Sequence, residues 1–117
     1  MQRYQHLVTE AKSRIAEISA PEAQSAHEAG ALIIDVREKN EWDESHIPHA
    51  QHVSRGMLEL EIEELAPDTT APIICHCGGG GRSALAAESL QRMGYTKVKS
   101  LAGGFKAWEA AGLPTER

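Results

Sequence analysis

Cys77 is followed by four glycines and then Arg82-Ser83, in the run Ile73-Ile74-Cys75-His76-Cys77-Gly78-Gly79-Gly80-Gly81-Arg82-Ser83. A cysteine attacks as its thiolate, so its surroundings must favour negative charge. Glycines let successive backbone N–H groups turn inward into a concave anion nest, and Gly79 and Gly80 are expected to need glycine torsions for this. The helix expected from Arg82 onward aims its positive end at the same place. A thiolate is stabilised there, and so is a persulfide, Cys–S–S⁻. The chemistry this predicts is covalent sulfur transfer in two half-reactions: Cys77 takes a sulfur from a donor, and an acceptor nucleophile then removes it. The competing reading is a small buried cysteine beside an ordinary turn. Four successive glycines argue against it, because each adds ordering cost. Cys75 lies inside the apolar run, away from the glycines, and reads as core.

Such a nucleophile needs a strand to carry it and a helix to follow it. Pro72 to His76 is an apolar run of the kind buried on both faces of a parallel sheet. Arg82 to Met93, rich in Ala and Leu and stopped by Gly94, reads as the helix. In open α/β sheets ligands collect beyond the carboxyl ends of strands, where Cys77 falls. Ala31 to Ile34 predicts another buried strand, Gln51 to Val53 a weak one and Lys97 to Leu101 a last one. Between them, Ser19-Ala20-Pro21-Glu22 gives a capping-box start to a helix ended by Gly30. The charged stretch Glu38 to Ser45 forms a short helix or turn, and Leu58, Ile62 and Leu65 mark a helix closed by Pro67. Gly103-Gly104 opens a final helix through Trp108, stopped by Gly112 and Pro114. Tyr4, Leu7, Val8, Ala11, Ile15 and Ile18 recur at helical spacing, which predicts an amphipathic helix at the start. Its apolar stripe serves either to cap the sheet or to pair two copies as a homodimer. The alternation of strands and helices predicts an α/β domain with a mostly parallel sheet, over 18–117, after a helical extension over 1–17.

Composition narrows the function classes. The 117 residues are 41% apolar and 25% charged, with a formal net charge of −5, an ordinary globular mixture. A domain this long buries roughly two-thirds of its unfolded surface and folds without a metal or disulfide. No basic block or stripe with interleaved aromatics appears, which argues against nucleic acid as a partner. No apolar run reaches membrane-spanning length and Met1 to Ser13 has no apolar signal core, so no membrane association and a cytoplasmic location are expected. Cys75 and Cys77, one residue apart on a strand, are badly placed for a disulfide and read as free thiols.

The loop and two flanking segments resemble the rhodanese family. That family's active loop reads Cys, two residues, Gly, one residue, Arg-Ser, as Cys77 to Ser83 does. Its upstream signature is similar to Asp35-Val36-Arg37, Glu41-Trp42 and His46-Ile47-Pro48 with Ala50. Its C-terminal signature is similar to Leu101-Ala102-Gly103-Gly104-Phe105 with Trp108 and Gly112-Leu113-Pro114. The resemblance covers about residues 18 to 114. It implies a three-layer fold with a central five-stranded, mainly parallel sheet between helices. It also implies a catalytic Cys77, substrate binding by Gly78, Gly79, Gly80, Gly81, Arg82 and Ser83, and no cofactor. The donors implied are thiosulfate or a persulfide, and the acceptors cyanide, a thiol or a protein. The family often has Gly where this chain has Ser45 and His49, which marks two places where the backbone can be strained. The loop has no side-chain cation besides Arg82, so a means of holding thiosulfate is not evident in it.

Other chemistries fit the same residues less well. Phosphatases and arsenate reductases of a related fold place five residues between Cys and Arg, whereas four separate Cys77 from Arg82. The shorter loop suits one sulfur atom better than a tetrahedral oxyanion. Cys75, His76 and Cys77 lack the gap of a zinc knuckle, and His46, His49 and His52 are not placed together by an extended segment, so no metal is expected. A non-catalytic binding module of the family would lack the loop cysteine, although a relay carrier serving one protein partner fits this sequence too. Asp35, Arg37 and Glu41 are expected to support the loop as an ion-pair network reaching Arg82. Trp42 and Trp108 read as core or cleft wall. His76 should face away from Cys77 and makes a poor general base.

Overall fold

The computed structural model describes residues 2–117. Five strands form one sheet in the order β1-β5-β4-β2-β3, with every neighbouring pair parallel. The strands are β1 (Ala16–Ile18), β2 (Leu32–Asp35), β3 (Gln51–His52), β4 (Ile73–His76) and β5 (Val98–Leu101). The helices are α1 (Gln2–Arg14), α2 (Ala20–Glu28), α3 (Lys39–Glu44), α4 (Leu58–Leu65), α5 (Gly81–Arg92) and α6 (Gly104–Ala110). No described helix is long and apolar enough to cross a membrane.

Alternation along the strands sends side chains to two separate cores. Ile34, Ile73 and Cys75 face α4 and α5, meeting Leu58, Ile62, Ala86 and Leu90. Ile33, Ile74 and Leu101 face α2 and α6, meeting Ala23, Phe105 and Trp108. Each fully buried Ile or Leu contributes about 1.5–3 kcal/mol relative to its exposed state. The sheet is therefore covered on both sides, and its central strand, β4, holds Cys77 at its carboxyl end.

The sequence reading erred at the start of the chain. The expected helix stops at Arg14, and Ala16–Ile18 instead forms the edge strand β1, with Ile18 paired to Leu101. Ile15 and Ile18 fit a helical spacing, but a strand of three residues is too short to show its own period. Strand β1 crosses the boundary drawn at 17/18, so the segment read as an extension supplies part of the sheet. Helix α1 packs on α5, burying Val8 and Ala11 while Leu7 stays exposed. Helix α2 starts as expected, with Ser19 and Glu22 bonded reciprocally as a capping box.

Candidate active site

The loop after β4 is held from outside by α6. The N–H groups of Phe105 and Lys106, in the first turn of α6, donate to the carbonyls of Cys77 and Gly78 at 2.7 and 3.2 Å. Those carbonyls are thereby turned outward, which leaves loop amides free to turn inward. Gly104 makes the approach feasible: a Cβ there would lie 2.5 Å from the Cys77 carbonyl oxygen. The second glycine of Gly103-Gly104 is thus a packing residue of the site, a role its place in a helix-start motif did not reveal.

Two N–H donors and one hydroxyl meet at the sulfur. The Gly80 N–H points to Cys77 Sγ at 3.1 Å and the Ser83 N–H at 3.3 Å, while Ser83 Oγ lies 3.4 Å away. Ser83 Oγ in turn bonds Ser100 Oγ, on β5, at 2.8 Å. As a thiol, Cys77 can donate to Ser83. As a thiolate or persulfide it can accept from Ser83 instead, with Ser100 donating to the Ser83 oxygen. Ser100 was absent from the sequence reading, since only the register of β5 beside β4 brings it under the loop. A glycine turn and a helix N-terminus thus direct backbone N–H groups at the same sulfur.

Among the loop glycines, only Gly80 has a positive φ, +106°, and a Cβ on it would sit 3.3 Å from the Gly103 nitrogen. Gly79 needs no glycine torsion and has open space around it, contrary to the expectation for that position. Gly78 and Gly81 also lie outside the left-handed region; a Cβ on Gly78 would crowd Arg82 Nη2 at 3.1 Å. Cys75 is buried in the core facing α4 and α5, where burial pushes its thiol up to about 12, so it stays protonated and inert.

The supporting charges form two pairs rather than one network. Arg82 grips Glu41 with both terminal nitrogens, at 2.7 and 3.1 Å. The hydrogen bond from Arg82 lowers the Glu41 carboxyl to about 2 against the opposing effect of partial burial. Asp35 and Arg37 pair separately, buried, with Arg37 Nη2 2.8 Å from Asp35 Oδ2 and 2.7 Å from the Ser45 carbonyl. Arg37 also lies over the Phe105 ring, 4.3 Å from its centre. Glu41 therefore reaches the loop directly, whereas Asp35 and Arg37 brace the segment that carries Glu41.

His76 is fully buried, and burial lowers its pKa, which keeps the ring neutral. Its Nε2 lies 3.5 Å from Asp35 Oδ2 without a formed hydrogen bond, and the ring bears on the Cys77 carbonyl rather than on the sulfur. His46 and His52 flank the Trp42 ring, whereas His49 faces His27. Trp108 is core, its Nε1 donating to the Pro114 carbonyl at 2.7 Å.

Of the two positions where the family often has Gly, Ser45 is extended at φ −172° and carries no strain. His49 has φ +68°, in the left-handed region that favours glycine.

Cys77 itself is only 1% exposed, yet it lines a pocket of about 310 Å³. Tyr4, Gln5 and Lys12 of α1 line it together with Gly79 and Arg82. The sequence marks Tyr4 only as part of the apolar stripe of this helix, and Gln5 and Lys12 lie off that stripe, so none of the three reads there as a site residue.

The family model described as Rhodanese-like domain matches residues 19–111. The chain is 36% identical over 96 residues to the thiosulfate sulfurtransferase GlpE of Pseudomonas fluorescens (strain SBW25), covering 82% of this chain and 86% of that protein. It is similar in structure to a Rhodopseudomonas palustris CGA009 protein of unknown function described as a possible tyrosine phosphatase. That match has a TM-score of 0.85 and 34% identity, covering 97% of this chain and 93% of the other. It is also similar to the polysulfide-sulfur transferase homodimer of Wolinella succinogenes, with a TM-score of 0.85 and 26% identity, covering 98% and 88% of the two chains.

Proposed function

The chain belongs to the rhodanese-like domain family, and on that premise we propose that it is a sulfurtransferase that carries sulfane sulfur as a persulfide on Cys77. The observation that supports this most is the meeting of the Gly80 N–H, the Ser83 N–H and the Ser83 hydroxyl at Cys77 Sγ.

With thiosulfate as donor, the Cys77 thiolate attacks the outer sulfur. The new S–S bond forms as the S–S bond of thiosulfate breaks, and sulfite leaves with the electron pair, giving Cys–S–S⁻ and SO₃²⁻. The outer sulfur then holds the charge, one S–S bond from the sulfur on which the Gly80 and Ser83 donors gather. An acceptor such as cyanide attacks that outer sulfur, thiocyanate departs, and the Cys77 thiolate is restored. A persulfide donor, with a thiol or a protein cysteine as acceptor, follows the same scheme. His76 takes no proton in this account, because the nucleophile reacts as an anion and both leaving groups depart as anions.

Four residues between Cys77 and Arg82 close a small nest that suits one sulfur atom. Arg82 is engaged by Glu41, which favours a role in holding the loop shape. Incubation with thiosulfate followed by intact mass measurement tests the reading: one added sulfur on Cys77, removed by cyanide, is expected.

A further inference from the structure

The loop contains one side-chain cation, and Arg82 spends both terminal nitrogens on Glu41. Arg82 lines the Cys77 pocket too, but its charge is matched by the Glu41 carboxylate, so a further positive group there would favour an anionic donor. Helix α1 brings one. Lys12 lines the same 310 Å³ pocket as Cys77, with Tyr4 and Gln5 beside it and, among the described residues, no carboxylate in the lining. The family match begins at residue 19, so this wall lies outside the part of the chain the family model describes.

Two features make the wall a defined surface. Tyr4 and Val8 pack against the start of α5: a Cβ on Gly81 would sit 3.3 Å from Tyr4 Cζ and 3.5 Å from Val8 Cγ2. The helix is thus seated on the loop that follows Cys77. The Lys12 ammonium, by contrast, is only loosely held. Its contact with Glu17 is 3.7 Å long, with side chains 39% and 34% exposed. An exposed pair of that kind contributes little and gives way easily to a better-placed anion.

We infer that Lys12 is the donor-recognising residue of this pocket, holding the oxyanion head of a small sulfur donor such as thiosulfate while its outer sulfur faces Cys77. The inference rests on the sulfurtransferase reading and assigns it a specificity residue, one that acts on donors with an anionic oxygen head remote from the sulfur that is transferred. Lysine suits the task, since its flexible stem and compact charge follow an anion that enters and leaves as sulfite.

The test compares two donors on wild type, Lys12→Ala, Lys12→Glu and Lys12→Arg. One is thiosulfate; the other is a simple alkyl persulfide, whose charge sits on the transferred sulfur and which has no oxyanion head. Lys12→Ala should raise the KM for thiosulfate roughly tenfold with little change in kcat, the expected loss of one charge-assisted contact. Lys12→Glu should raise it further, and Lys12→Arg should restore most of it. Loading from the alkyl persulfide should be unchanged in all three. An unchanged KM for thiosulfate, an equal loss with both donors, or wild type that loads from the persulfide and never from thiosulfate would overturn the assignment while leaving sulfur transfer intact. Wild type that takes sulfur from neither donor would remove the sulfurtransferase reading and this inference with it.

Discussion

Arg82 and Glu41 lie 41 positions apart in sequence and meet through two parallel hydrogen bonds, tying the start of α5 to α3 beside the cysteine loop. A bidentate pair fixes direction as well as distance. Glu41→Gln keeps the shape but removes the charge, and should slow persulfide loading several-fold while lowering Tm at neutral pH by a few degrees. Arg82→Lys keeps the charge but loses the fork, and should do the same. Stopped-flow loading with thiosulfate checks both.

The same pair sets an acid limit. The Glu41 carboxyl is lowered from 4.5 to about 2 by Arg82, so the folded state binds this proton less readily than the unfolded chain. The pair's contribution to stability is therefore complete above about 4.5 and is lost as pH falls toward about 2. Wild type and Glu41→Gln should differ in Tm by the same amount from pH 7 to pH 5, and the difference should shrink on further acidification. Parallel thermal melts across that range measure it.

Two neighbouring glycines should respond differently to the same change. Gly80 has φ +106° and donates its N–H to Cys77 Sγ, whereas Gly79 has neither a positive φ nor a close neighbour. Gly80→Ala should lower the loading rate at least tenfold, the order expected when an anion-stabilising donor is displaced. Gly79→Ala should stay within about twofold. Equal effects at both positions would mean that loop composition matters rather than the one left-handed residue.

His49 holds φ +68° without being glycine. Its strain costs about 1 kcal/mol, partly offset in a glycine variant by the greater freedom of the unfolded chain. His49→Gly should raise Tm by roughly 1–5 °C with sulfur transfer unchanged. Differential scanning calorimetry checks this, and a lower Tm would mean that the His27–His49 ring contact outweighs the strain.

Much of this was legible in sequence because local patterns carried it. The runs ending at Asp35 and His76 are apolar and bounded, and a strand buried on both faces leaves that mark. The capping box at Ser19 and the glycine loop are local devices whose residues specify their own geometry. What escaped the reading depends on distant pairing. Strand β1 exists because β5 offers it an edge, Ser100 meets Ser83 because β5 lies in register beside β4, and Gly104 matters because α6 returns to the loop. Lys12 reads as one more charge on an amphipathic helix until the fold brings it and Cys77 to the lining of one pocket.

The central claim is that sulfur resides on Cys77, and mass spectrometry of the intact protein after thiosulfate or a persulfide donor tests it most directly. Wild type and Cys75→Ser should each gain one sulfur atom, lost again on addition of cyanide, because only Cys77 has N–H donors gathered on its sulfur. Cys77→Ser should gain none, and wild type should show no turnover of aryl phosphates. Sulfur retained by Cys77→Ser, or aryl phosphatase activity abolished by that substitution in a protein that takes sulfur from no donor, would contradict the account.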